Sequence, residues 1–189
     1  MKKIVSVILA LALVLSMTAC GNKKQEETVP AVEAPASAQE VLETVWAMYG
    51  DDQKFPVIGG DMANPVNDAP GNYNLADENI SYTLLIPEAQ LKNVTEAASM
   101  IHMMNANTFT CAVFRLADGV KAADFGNAMK EAVMGNQWMC GFPETLVIQN
   151  IADTYVLVAF GVNDAINPFM TYLVASYPQS VSLVKESII

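Results

Sequence analysis

Few side chains in this chain can do chemistry. Its 189 residues hold three cysteines, one histidine and eleven methionines. Cys111 and Cys140 are the two cysteines outside the N-terminal leader. Export to an oxidising compartment permits a disulfide between them, and a bridge closing about 30 residues adds roughly 3 to 4 kcal/mol in the chain-entropy treatment. Two separate buried thiols packing as small hydrophobes are the alternative. Cys140 is followed three residues later by Pro143, so dithiol chemistry of the C-x-x-C type is excluded. His102 stands among Met100, Met103 and Met104. Thioether, imidazole and thiolate together would suit a soft ion such as Cu(I), while methionines at this spacing also fill cores or form apolar contact patches. Asp61, Asn64, Asn67 and Asp68 crowd one segment with oxygen ligands, but without the Asp-x-Asp-x-Asp-Gly spacing of a calcium loop.

The motifs of hydrolysis are missing. No Gly-x-Ser-x-Gly, His-Glu-x-x-His or phosphate-binding glycine loop occurs in the sequence, which predicts a protein that is not an enzyme and needs neither cofactor nor metal. The formal charge is −10, from 10 basic and 20 acidic residues. Such a chain repels phosphate backbones, so nucleic acid is not expected as a partner.

The N-terminus gives an address. Lys2-Lys3 precedes an apolar run from Ile4 to Leu15 that is shorter than the roughly 20 residues a spanning helix needs. It reads as a signal peptide over residues 1–19. The run ends in Leu15-Ser16-Met17-Thr18-Ala19-Cys20-Gly21, which resembles the lipobox of bacterial lipoproteins. That resemblance implies a diacylglyceryl group on Cys20, the new N-terminus. Two acyl chains hold a protein stably on a bilayer where one would not. Cleavage removes two lysines and no acid, leaving 8 basic and 20 acidic side chains and a net −12. Residues 20–36 are rich in charge, proline and alanine and read as a tether.

The elements that must position Cys111, Cys140 and His102 lie in 37–189, one α+β domain with helices on one face of a mainly antiparallel or mixed sheet. Ser37 and Glu40 have capping-box spacing before an amphipathic helix to Tyr49, with Gly50 as its left-handed stop. Residues 51–79 read as a long irregular loop. Ser81–Ile86 reads as a strand, 94–104 as a helix capped by Asn93, and Thr108–Leu116 as a central strand. A helix over 120–134, a hairpin of 145–151 with 154–160 about Ala152-Asp153, a helix from Ile166 to Tyr177 with Pro168 in its first turn, and an edge strand over 180–184 complete the order.

The segments HMMNANTFTCAVF and QWMCGFP, with Gly59-Gly60-Asp61-Met62 and Ala69-Pro70-Gly71 upstream, are similar to a group of small lipoproteins from clostridial Firmicutes labelled bacteriocin transport accessory proteins. The likeness covers most of 37–178. It implies a lipid-anchored extracytoplasmic domain of a Gram-positive cell and carries over no catalytic residue. The label itself implies a thioredoxin-like protein, from which this chain departs at Pro143. The expected protein is thus a binding or accessory module for a protein, peptide or small ligand. Its contact surface is read as His102, Met103, Asn105, Asn107, Trp138, Met139 and Phe142, overhung by 59–74. A thiol- or metal-dependent envelope protein using Cys111, Cys140 and His102 is the alternative.

Overall fold

Ser37 starts the first helix as its spacing predicts. In the computed structural model, which describes residues 34–189, the Ser37 hydroxyl accepts the Glu40 N–H at 3.0 Å and α1 runs Ala38–Trp46. The Glu40 carboxylate accepts the Ala36 N–H at 2.6 Å, one residue before the position a capping box requires. Gly50 does not close the helix in a left-handed conformation; α1 ends at Ala47 in right-handed geometry, and the positive-φ glycines among the described residues are Gly60 and Gly119. The leader, Cys20 and nearly all of the tether lie outside the described residues.

Eight strands form one sheet: β1 (Val57–Gly59), β2 (Val66–Asn67), β3 (Gly71–Tyr73), β4 (Val94–His102), β5 (Phe109–Leu116), β6 (Thr145–Ile151), β7 (Tyr155–Gly161) and β8 (Val181–Ser187). Their order is β2-β1-β4-β5-β7-β6-β8, with β3 also beside β4, and every pairing is antiparallel. Two short helices, α2 (Ile80–Thr83) and α3 (Glu88–Leu91), precede β4. α4 (Ala122–Met134) links β5 to β6, and α5 (Asn163–Ser176) links β7 to β8, each connection skipping one strand. The chain is an α+β protein with an antiparallel sheet.

The helices cover both faces of that sheet, where the sequence reading placed them on one. Val147, Leu157 and Ala159 pack with Leu42 of α1 and Phe169 of α5. Leu146, Ile148, Val156 and Val158 pack with Phe125 and Met129 of α4. The reason is in the strands: β5 and β7 are apolar on both sides, and each apolar face must be shielded from water.

Burial on two sides also misled the local reading. Val94, Ala97, Ala98 and Ile101 have helical spacing, yet they lie in β4. Ala98, Met100 and the α1 side chains share one core while Val94, Ala97 and Ile101 join the other, and a bulge between Val94 and Glu96 breaks the two-residue alternation. Asn93 caps nothing; its amide donates to the Gln90 side chain at 2.8 Å. Ser81–Ile86, read as a strand, contains the end of α2 and buries Leu84 and Ile86 against Phe114. The 51–79 segment is not wholly irregular, since β1, β2 and β3 extend the sheet from it. Pro168 is the sixth residue of α5, not in its first turn, and its missing N–H leaves the Asp164 carbonyl without its helical partner.

The β6–β7 hairpin forms as read. Its turn residues Ala152 and Asp153 both have positive φ, at 50° and 59°, a conformation that favours glycine or asparagine. The final strand, read as 180–184, runs to Ser187 along β6, and Lys130 of α4 pairs with Glu186 across it.

Candidate functional site

One end of the sheet is left partly open on the α4 face. Ile101 of β4, Thr110 of β5 and Phe160 of β7 stand side by side there, since Ile101 pairs with Thr110 and Thr110 with Phe160. They line a cleft of ≈ 420 Å³. α4 stops short at Gly135, and the chain returns to β6 through 136–141, which makes one wall with Trp138, Met139 and Cys140. Tyr82, Thr83 and Leu85 also line it, and Met104, Asn105 and Thr108, from the connection between β4 and β5, close the end.

Glycines let the end close. A Cβ on Gly141 would stand 2.5 Å from the Thr108 hydroxyl oxygen and 2.9 Å from the Asn105 carbonyl, and one on Gly161 would stand 2.3 Å from the Thr108 carbonyl. The Thr108 hydroxyl donates to the Asn105 carbonyl at 3.0 Å, and the Thr108 carbonyl accepts the Val162 N–H at 2.8 Å. Thr108 therefore joins the end of the cleft to the first turn of α5.

The lining is apolar below and amide-rich above. Trp138 packs on Phe160 with ring centroids 5.4 Å apart. Its indole nitrogen is shielded from solvent and has no hydrogen-bond partner, a state that costs about 1 to 3 kcal/mol for a buried donor. Tyr82 is 87% exposed and Met139 84%, so the rim presents an aromatic ring and a thioether to solvent. Such side chains are common at adaptable binding surfaces.

His102, Asn105, Trp138 and Met139 from the sequence-derived surface are brought together at this cleft, whereas Met103, Asn107 and Phe142 are exposed outside its lining. The 59–74 segment does not overhang it; Tyr82, Thr83 and Leu85 take that place. Those three, with Thr110 and Phe160, were missed in sequence because 81–86 reads as a strand and strand residues carry no sign of which end of a sheet they reach.

His102 is engaged rather than free. Its ring stacks on Phe55 at 5.0 Å with 7° between planes, and Nδ1 accepts the Met104 N–H at 2.9 Å. Burial pushes its pKa below the ordinary value, so the imidazole is neutral at pH 7 with its proton on Nε2. Met100 is fully buried in the α1 and α5 core, away from the exposed Met103 and Met104. Among the described residues no group of three or more His, Cys, Asp or Glu side chains is placed to hold a metal ion.

Cys111 and Cys140 are both free thiols, so the possible disulfide between them is not formed. Cys111 is buried in the α1 and α5 core, where burial pushes its pKa well up. Cys140 is exposed and lines the cleft on the opposite face. Of the Asp61 cluster, Asn67 and Asp68 are exposed, and Asp61 itself is committed to structure. Burial raises the Asp61 carboxyl, but N–H donors from Asn64, Asn74 and Ala63 and the Asn64 side chain outweigh it and hold the pKa below the ordinary 3.8. One oxygen accepts from the Ala63 and Asn64 N–H groups at 2.9 and 2.8 Å, the other from Asn74 at 3.2 Å.

No family model, no curated protein and no solved structure matches this chain. The fold and the cleft are thus the ground for a functional reading.

Proposed function

We propose that the protein is a non-enzymatic binding module, lipid-anchored through Cys20 on the extracytoplasmic face of the membrane, that takes its ligand in the cleft between α2 and the 136–141 segment. The observation that carries the reading is the open ≈ 420 Å³ cleft with an apolar floor and with exposed Tyr82, Met104 and Met139 in and around its mouth. A concave apolar site of a few hundred Å³ with a small number of polar groups is the usual form of a ligand pocket. The non-enzymatic part is supported by the lining itself. Among the described residues it includes no Asp, Glu, Lys or Arg, and its one histidine has Nδ1 already bonded to the backbone, so Cys140 stands without a base to activate it. Membrane attachment is supported by the Ala19-Cys20 junction after a short apolar run.

Native mass spectrometry of protein recovered from the envelope tests the binding reading. An added mass that leaves on denaturation, and is lost when Met104 and Met139 are both changed to Glu, is the expected result. Both side chains are half or more exposed, so the double variant keeps its fold. An added mass that survives in the variant overturns the site. Acyl labelling that persists in Cys20→Ala overturns the anchor.

A further inference from the structure

Resting on that reading of the cleft as a binding site, we propose that its ligand is an uncharged, mainly apolar small molecule that exchanges hydrogen bonds with the amide and hydroxyl side chains of the lining. Among the described residues, no Asp, Glu, Lys or Arg side chain lines the cleft. A charged ligand would lose its hydration there and gain no counter-charge, which is costly. His102 offers none, being neutral and stacked on Phe55.

The polar groups that are present suit a neutral molecule. Asn105, Asn136 and Gln137 supply amides, and Thr83 and Thr108 supply hydroxyls, of which the Thr108 hydroxyl already donates to Asn105. Ile101, Leu85 and Phe160 are apolar parts of the lining, and Trp138 leans on Phe160. The Trp138 Nε1–H has no partner but is sealed from water, and so from the open cleft as well, which leaves the amides and hydroxyls as the groups that can bond a neutral ligand. The volume of ≈ 420 Å³ lies at the lower end of the roughly 300 to 1,000 Å³ typical of small-molecule sites, which favours a small molecule over a folded partner.

Displacement of a fluorescent uncharged reporter, N-phenylnaphthylamine, from the purified protein tests this. The competitors are naphthylmethanol, naphthoate and naphthylmethylammonium, one aromatic frame carrying no charge, a negative charge and a positive charge. Salt is kept high enough to screen the overall charge of the chain. The alcohol is expected to displace the reporter at least about tenfold more effectively than either ion. Met104→Lys, at an exposed rim position, is expected to bring naphthoate up towards the alcohol. An ion that competes as well as the alcohol overturns the inference and leaves the binding reading standing, as does a neutral sugar that competes equally. A ratio unmoved by Met104→Lys places the reporter elsewhere and overturns the inference. Failure of the reporter and of every competitor to bind overturns both.

Discussion

The glycine- and aspartate-rich segment 59–74 and the cleft at the end of β4, β5 and β7 use conspicuous residues in opposite ways. In the first, the glycines and Asp61 are committed to structure, while Met62, Asn64, Asn67 and Asp68 are exposed. Gly59 and Gly71 abut so closely that a Cβ on Gly59 would stand 2.2 Å from the Gly71 nitrogen, which lets β1 and β3 lie end to end along β4. Asp61 collects three backbone N–H groups, and the Asp68 carbonyl accepts the Trp46 indole at 3.1 Å. In the second, an indole N–H is left unmet and large apolar side chains stand in solvent. The lesson is that a dense cluster of ligand-type residues is a candidate site only where its hydrogen-bonding capacity is unused.

Substitutions sharpen the contrast, beginning with the segment that has no slack. Gly59→Ala puts a methyl group against backbone that cannot move aside, and a loss of more than about 3 kcal/mol in urea unfolding, or no folded protein at all, is expected. A loss under about 1 kcal/mol would show that β1 and β3 are not so tightly apposed. Asp61→Asn removes a carboxylate whose folded pKa is lowered. Its contribution is full above the ordinary value of 3.8 and fades as pH falls through the lowered folded value. The native chain should therefore lose stability on acidification more steeply than the variant, and parallel acid limbs in thermal melts would contradict the assignment.

At the cleft the balance reverses. Trp138→Phe is expected to change unfolding free energy by less than about 1 kcal/mol, since the lost packing is offset by removal of an unpartnered donor. A larger loss of stability would make Trp138 a structural residue. The smallest effect lies outside both regions. Ala152→Gly relieves a positive-φ alanine and should raise stability by about 0.5 kcal/mol, checked by the same urea titration.

Much of this fold is legible in the sequence. Ser37 announces α1, the β-branched and aromatic run at 108–116 announces a central strand, and the apolar runs about Ala152-Asp153 announce a hairpin. The α+β class follows from their order. The β4 strand is not legible because a chain buried on both sides loses its alternation, and Ala97-Ala98-Ser99 are small residues with no strong preference for a strand. Local propensity gives way to pairing with β1, β3 and β5 on either side. At the site, His102, Asn105, Trp138 and Met139 can be singled out because rare residue types cluster in two short segments. Thr110 and Phe160 cannot, since only the antiparallel register of β5 and β7 brings them level.

Thr108 ties the floor of one face to the helix of the other. Its carbonyl holds the Val162 N–H, and Val162 is the residue from which α5 springs, while α5 packs on the face away from the cleft. The sheet between them is too well paired to bend locally, so a displacement of the 105–108 turn must either break this one bond or carry the root of α5 with it. Amide hydrogen exchange at Val162 is expected to report any loosening of the 105–108 turn, since that one peptide group joins it to α5.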